Sequence, residues 1–169
     1  GKAPIARKAY GAMESSEDPA QHHEGAMRAA RSYLFDGPGL GSNRAMADAE
    51  RALLSEAEVA RKARRGADQV HALAELARLQ IERVSLFDAG RTLQALGEVL
   101  QPPARAAAKD EKAVDPAVFS DDERLRARVE ALVLRAVLLQ GIGERELAEA
   151  RAGELEALIG RSAAGRARV

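Results

Sequence analysis

The 169-residue chain has no cysteine and no tryptophan, and only two tyrosines and three phenylalanines. Without thiols there can be no disulfide, no thiolate metal site and no cysteine nucleophile. So few aromatic rings leave almost no platform on which the bases of a single-stranded nucleic acid could stack. Charge of one sign is lacking too: 26 basic and 26 acidic side chains cancel, so no overall field draws the chain to a nucleic acid or an anionic membrane. Long apolar runs are missing as well. None approaches the ~20 residues of a membrane span, and Gly1-Lys2 leads into no signal-peptide hydrophobic region. Neither a nucleic-acid partner nor direct membrane insertion is expected.

What the chain does have is alanine and leucine, within a hydrophobic share of 46%. Both favour helix, while the β-branched and aromatic residues that favour strands are few. The expected fold is all-α, with six or seven helices in packed antiparallel hairpins, as an array or a bundle. The length suits one domain, expected over 1–160, with an exposed connector at 104–119 and a basic flexible tail at 161–169.

The punctuation places the helices. Pro4 opens a short first helix with Ile5, Ala9 and Met13 as its stripe. Asp18-Pro19 starts a second helix, near 19–35, carrying Met27, Ala30 and Leu34. Ser42 or Asn43 caps a third, with Met46, Ala49, Leu53, Ala57 and Ala60 on one face and Gly66 as its stop. Asp68 caps a fourth, with Val70, Leu73, Ala77, Ile81 and Val84 in line and Leu76 and Leu79 widening the face. The fifth carries Leu93, Leu96 and Leu100 and stops at Pro102-Pro103. Ser120 with Glu123 reads as the capping box of a sixth helix, the most apolar and hence the expected centre of the core, around Leu132. A turn at Gly141-Ile142-Gly143 leads to a seventh helix ending at Gly160.

Helices four and five resemble a tetratricopeptide-type hairpin. Leu73, Leu76 and Ala77 stand where the first helix of that repeat has large, large and small residues, and Ala89, Leu93 and Leu96 where the second packs back. Pro102 stands one position after the family's terminating proline, and Gln80 replaces an aromatic. Leu132, Ala136, Gly143, Ala148 and Leu155 make a looser match, and helices two and three a third hairpin, so the resemblance spans residues 19–160. The hairpins begin near 19, 68 and 121, roughly 50 residues apart instead of the repeat's ~34. In that family the first helix of each pair lines an inner groove, which implies His71, Arg78, Glu130 and Gln140 as partner-binding residues. The alanine-rich stretches at Ala49-Glu50-Arg51-Ala52-Leu53 and Asp68-Gln69-Val70-His71-Ala72-Leu73 also resemble helical segments of bacterial envelope lipoproteins, which leaves both cytoplasm and periplasm open.

No constellation demands chemistry. Asp36-Gly37-Pro38-Gly39-Leu40-Gly41-Ser42-Asn43 precedes a helix but lacks the lysine-serine of a phosphate loop and follows a helix where a nucleotide fold has a strand. His22, His23 and Glu24 are adjacent on a helix, about 100° apart per residue, with no histidine at i+4, so they read as solvated. His71 reads as a surface residue, Ser120 as a cap, and Asp121-Asp122-Glu123 and Glu144-Arg145-Glu146 as dipole-complementing helix starts. No catalytic, cofactor or metal residue is assigned. The expected function is a non-catalytic scaffold or adaptor binding a protein or peptide. The alternatives are a self-associating structural protein of the bacterial envelope and a helical sensor or enzyme with a pocket invisible in sequence.

Overall fold

The structure, a computed structural model, describes residues 3–34, 43–101 and 121–166. Among these are seven helices and no strand: α1 (Ala3–Glu14), α2 (Pro19–Leu34), α3 (Asn43–Lys62), α4 (Gly66–Glu82), α5 (Leu86–Leu100), α6 (Asp121–Gly141) and α7 (Arg145–Arg166). Each packs against the next in sequence, and α4 also reaches α6. The glycine-rich loop at 36–42, the connector at 104–119 and the Ser120 cap lie outside the described residues.

Three turns are built alike. After α3 the Arg65 amide donates to the Ala60 carbonyl at 2.8 Å and the Arg64 amide to Arg61 at 3.1 Å; after α4 Ser85 and Val84 donate in the same way to Gln80 and Ile81; after α6 Glu144 and Gly143 donate to Leu139 and Gln140. This pairing satisfies the last free carbonyls of a helix and requires a left-handed residue just past its end. Arg64 (φ 56°), Val84 (φ 59°) and Gly143 (φ 87°) supply it. Sequence expects Gly66 to stop α3 and Asp68 to cap α4, but Arg64 makes the stop, Gly66 is buried as the first residue of α4, and the Asp68 carboxylate is held by Arg65 at 2.6 Å.

Val84 is therefore part of the turn, not of the α4 stripe, and is 73% exposed. A β-branched side chain in this conformation crowds the backbone at a cost of about 1–2 kcal/mol and recovers little by burial. Val84→Gly should raise stability by about 1 kcal/mol, after the entropy that glycine adds to the unfolded chain. Urea unfolding reads this as a higher midpoint at unchanged slope; a lower midpoint would show that the turn is unstrained.

The core corrects the expected centre. Nine residues of α4 are buried, among them Leu76 at 0% exposure. In α6 the buried residues are Ala127, Ala131, Leu134 and Leu138, while Leu132 is half-buried and Val133 and Val137 are exposed. Apolar content favours α6, but burial follows the closeness of packing: each of the two helices meets three others, and α4 is packed closely along both α3 and α5, whereas α6 is packed closely only along α7 and meets α5 and α4 less extensively. The expected stripe of α1 also fails, since Ile5 is 74% exposed. α1 docks instead through its last turn, where a Cβ at Gly25 of α2 would lie 2.5 Å from the Glu14 backbone nitrogen. Only glycine admits that approach. α7 continues past Gly160 to Arg166, because a glycine ends a helix only where the chain turns, and otherwise costs about 1 kcal/mol relative to alanine.

Gln80, which stands where the resemblance would place an aromatic ring, is buried and fully engaged. The Thr92 hydroxyl donates to its Oε1 at 2.7 Å, its Nε2 donates to Glu50 at 2.8 Å, and Arg83 donates to the other Glu50 oxygen. A polar chain thus joins α3, α4 and α5 where the family has a stacked side chain.

Candidate functional site

All three histidines of the chain meet where α2, α3 and α4 come together. Glu56 of α3, its side chain 2% exposed, is the anchor. His23 Nδ1 lies 2.8 Å from Glu56 Oε1, His22 Nε2 lies 3.3 Å from Oε2, and the Arg65 guanidinium lies 3.5 Å from Oε1. A buried carboxylate needs such partners, because unpaired it would be expelled or protonated. His23 is itself buried. Its Nε2 faces His71 Nδ1 at 3.0 Å and Asp68 at 3.8 Å. Arg65 closes the ring, donating to Asp68 at 2.6 Å and to the Pro19 carbonyl at 3.0 Å, which fastens the start of α2 to the α3–α4 turn.

This overturns the reading of His23 as solvated; His71 does lie at the boundary of the protein, but in contact with His23. The helical angle between His22 and His23 was read correctly, but α3 inserts Glu56 where both rings reach it, and α4 brings His71 from 48 positions away. His71 is exposed as a residue, yet one ring edge is turned from water toward His23. That lost hydration, followed by the positive charge of His23, holds its pKa below the usual histidine value. Among the described residues no group of three or more His, Asp or Glu side chains is arranged to hold a metal ion; here the ring nitrogens face one another and the carboxylates.

The other residues implied as partner-binding fall in two places. Arg78 donates to Glu130 of α6 at 2.6 Å and to Glu75 at 2.7 Å, and Glu75 also accepts from Arg31 of α2 at 3.1 Å. These pairs form a ladder across α2, α4 and α6, so Arg78 and Glu130 are already engaged with each other. Gln140 lies elsewhere. With Val133, Ala136 and Val137 of α6 and Ala148, Ala152 and Leu155 of α7 it lines an open groove of about 470 Å³, rimmed by Arg145 and Glu149. Sequence periodicity misses this groove because a helix as apolar as α6 reads as the centre of the core, covered on every side.

Among the described residues nothing packs on that side of the last hairpin. Val133 and Val137 are 41% and 45% exposed, and no residue of α7 from 145 to 160 is fully buried. On the other side of the same hairpin is a cleft of about 460 Å³, floored by Leu100, Leu132 and Leu158 and bordered by Arg128 and Arg135. Arg135 lies across Gly97 and donates to the Leu93 carbonyl at 3.1 Å, tying α6 to α5. No helix among the described residues is long and apolar enough to cross a membrane. Comparison with protein-family models, with curated proteins and with solved structures finds no match for this chain.

Proposed function

We propose that the chain is a non-catalytic helical scaffold that binds an amphipathic helix of another protein in the α6–α7 groove. The observation that carries this reading is the pair Val133 and Val137, one helical turn apart and exposed on the wall of an otherwise alanine-lined groove. Contiguous apolar surface rimmed by polar groups is typical of interaction sites. Ala136, Ala148 and Ala152 leave room for the ridge of a third helix, whose side chains at i, i+4 and i+7 would enter between α6 and α7. Arg145 and Glu149 have no ion-pair partner among the described residues, and together they suit a partner carrying one acid and one base beside its apolar stripe.

A photo-crosslinking residue at Ala136 should capture one protein through an amphipathic helical segment. Val137→Glu should abolish that capture while leaving the melting temperature within about 2 °C of the parent, since the position is half in water. A concentration-dependent dimer in sedimentation, lost in the same variant, would instead put a second copy of the chain in the groove and displace the adaptor reading.

A further inference from the structure

The contact between His23 and His71 has a parity that makes it sensitive to acid. Glu56 accepts a hydrogen from His23 Nδ1 across 2.8 Å, so the 3.0 Å gap between His23 Nε2 and His71 Nδ1 holds one further proton. With both rings neutral, His71 Nδ1 carries that proton and donates. With one ring charged, a single proton still lies between them, on either nitrogen. With both rings charged, two N–H groups face each other across 3.0 Å, and the hydrogen bond becomes a repulsion between like charges.

We propose that His23 and His71 form an acid-sensitive latch that holds α2 against α4 until both rings are protonated, and then releases it. The charges around the two rings differ. His23 faces Glu56 of α3 and Asp68 of α4, with His22 and Arg65 also at Glu56; α1 contributes Glu14, whose backbone sits against Gly25, two residues along α2. His71 faces Glu75 on its own helix, Arg31 of α2 and Glu130 of α6.

The same seam carries the other bonds between these two helices, Arg31 to Glu75 and Arg65 to the Pro19 carbonyl. α2 keeps its apolar packing on α3 and in the shared core through Met27 and Ala30, so release at His71 loosens the polar edge that joins it to α4. Because His71 titrates below its unfolded value of 6.5, the unfolded or undocked chain binds more protons in that window. Stability is therefore complete above about pH 6.5 and is lost as the pH falls through the lower folded value.

The test has two parts. In wild-type protein, ¹⁵N imidazole shifts followed from pH 8 to 4 should show His71 charging below 6.5, with amide exchange in residues 19–34 accelerating at least tenfold beyond its intrinsic pH dependence once both rings are charged. His71→Asn keeps a hydrogen-bonding atom near the Nδ1 position but cannot take a charge. It should melt close to the parent at pH 8 and lose most of the parent's fall in melting temperature between pH 7 and 5. If His71 titrates at or above 6.5, or if α2 stays as protected when both rings are charged, there is no latch. An acid profile in His71→Asn that superimposes on the parent's would overturn it equally.

Discussion

Shortening Leu76 to alanine should lower the unfolding free energy by about 3–5 kcal/mol. Leu76 is fully buried in α4, which lies between α3 and α5 and also meets α6, so the loss combines the transfer of the removed methyl groups with a cavity that packed helices on several sides cannot close. For a chain of this length that corresponds to a fall in melting temperature of about 10 °C. Leu132→Ala, at the half-buried position in α6, should cost about 1–2 kcal/mol. Thermal melts of the two variants side by side measure the difference. Equal losses would return the centre of the core to α6, as apolar content alone suggests.

Glu56→Ala should cost about 3–5 kcal/mol at pH 8, through a different route. The carboxylate is 2% exposed and receives His23, His22 and Arg65 at once; deleting it leaves a buried imidazole N–H without an acceptor and a guanidinium with one partner fewer. Glu56→Gln retains an oxygen for His23 Nδ1 and should lose about half as much. Working at pH 8 separates this anchoring from the acid release at His71, which charges only below 6.5. Chemical denaturation of both variants decides the matter. A Glu56→Ala protein as stable as its parent would mean that desolvation of the cluster cancels its attractions, and the cluster would then be a specificity device without net stabilisation.

Helix positions were legible because their signals are local. Gly66, Asp68, Pro19 and Gly143 each stand within a residue or two of a real boundary, since caps, left-handed turns and prolines act on their immediate neighbours. Even here the roles moved: the residue that takes the left-handed conformation after α3 is Arg64, a position no propensity would single out. Alternative stops compete within one turn, and the packing of α3 on α4 selects among them. Glu58 and Lys62, whose i, i+4 spacing places them on one helix face, pair at 3.4 Å.

The candidate sites were legible only in fragments. His22 and His23 are conspicuous as a doublet, but nothing in the sequence announces that Glu56, 33 positions after His23, will be buried against them, because a glutamate one helix away reads as solvated until the crossing of α2 and α3 removes its water. The resemblance implied Gln140, Arg78 and Glu130 along one inner groove of first helices; Gln140 lines a different groove, between α6 and α7, while Arg78 and Glu130 bond each other. The sequence by itself determined the class of structure, all helix among the described residues, because helix propensity, periodicity and termination are summed over near neighbours in the chain. Only the tertiary structure decided which helix is central, which histidines meet and which apolar stripe is left uncovered, because burial and charge pairing depend on how many helices surround a position, and that number is a property of the packed array.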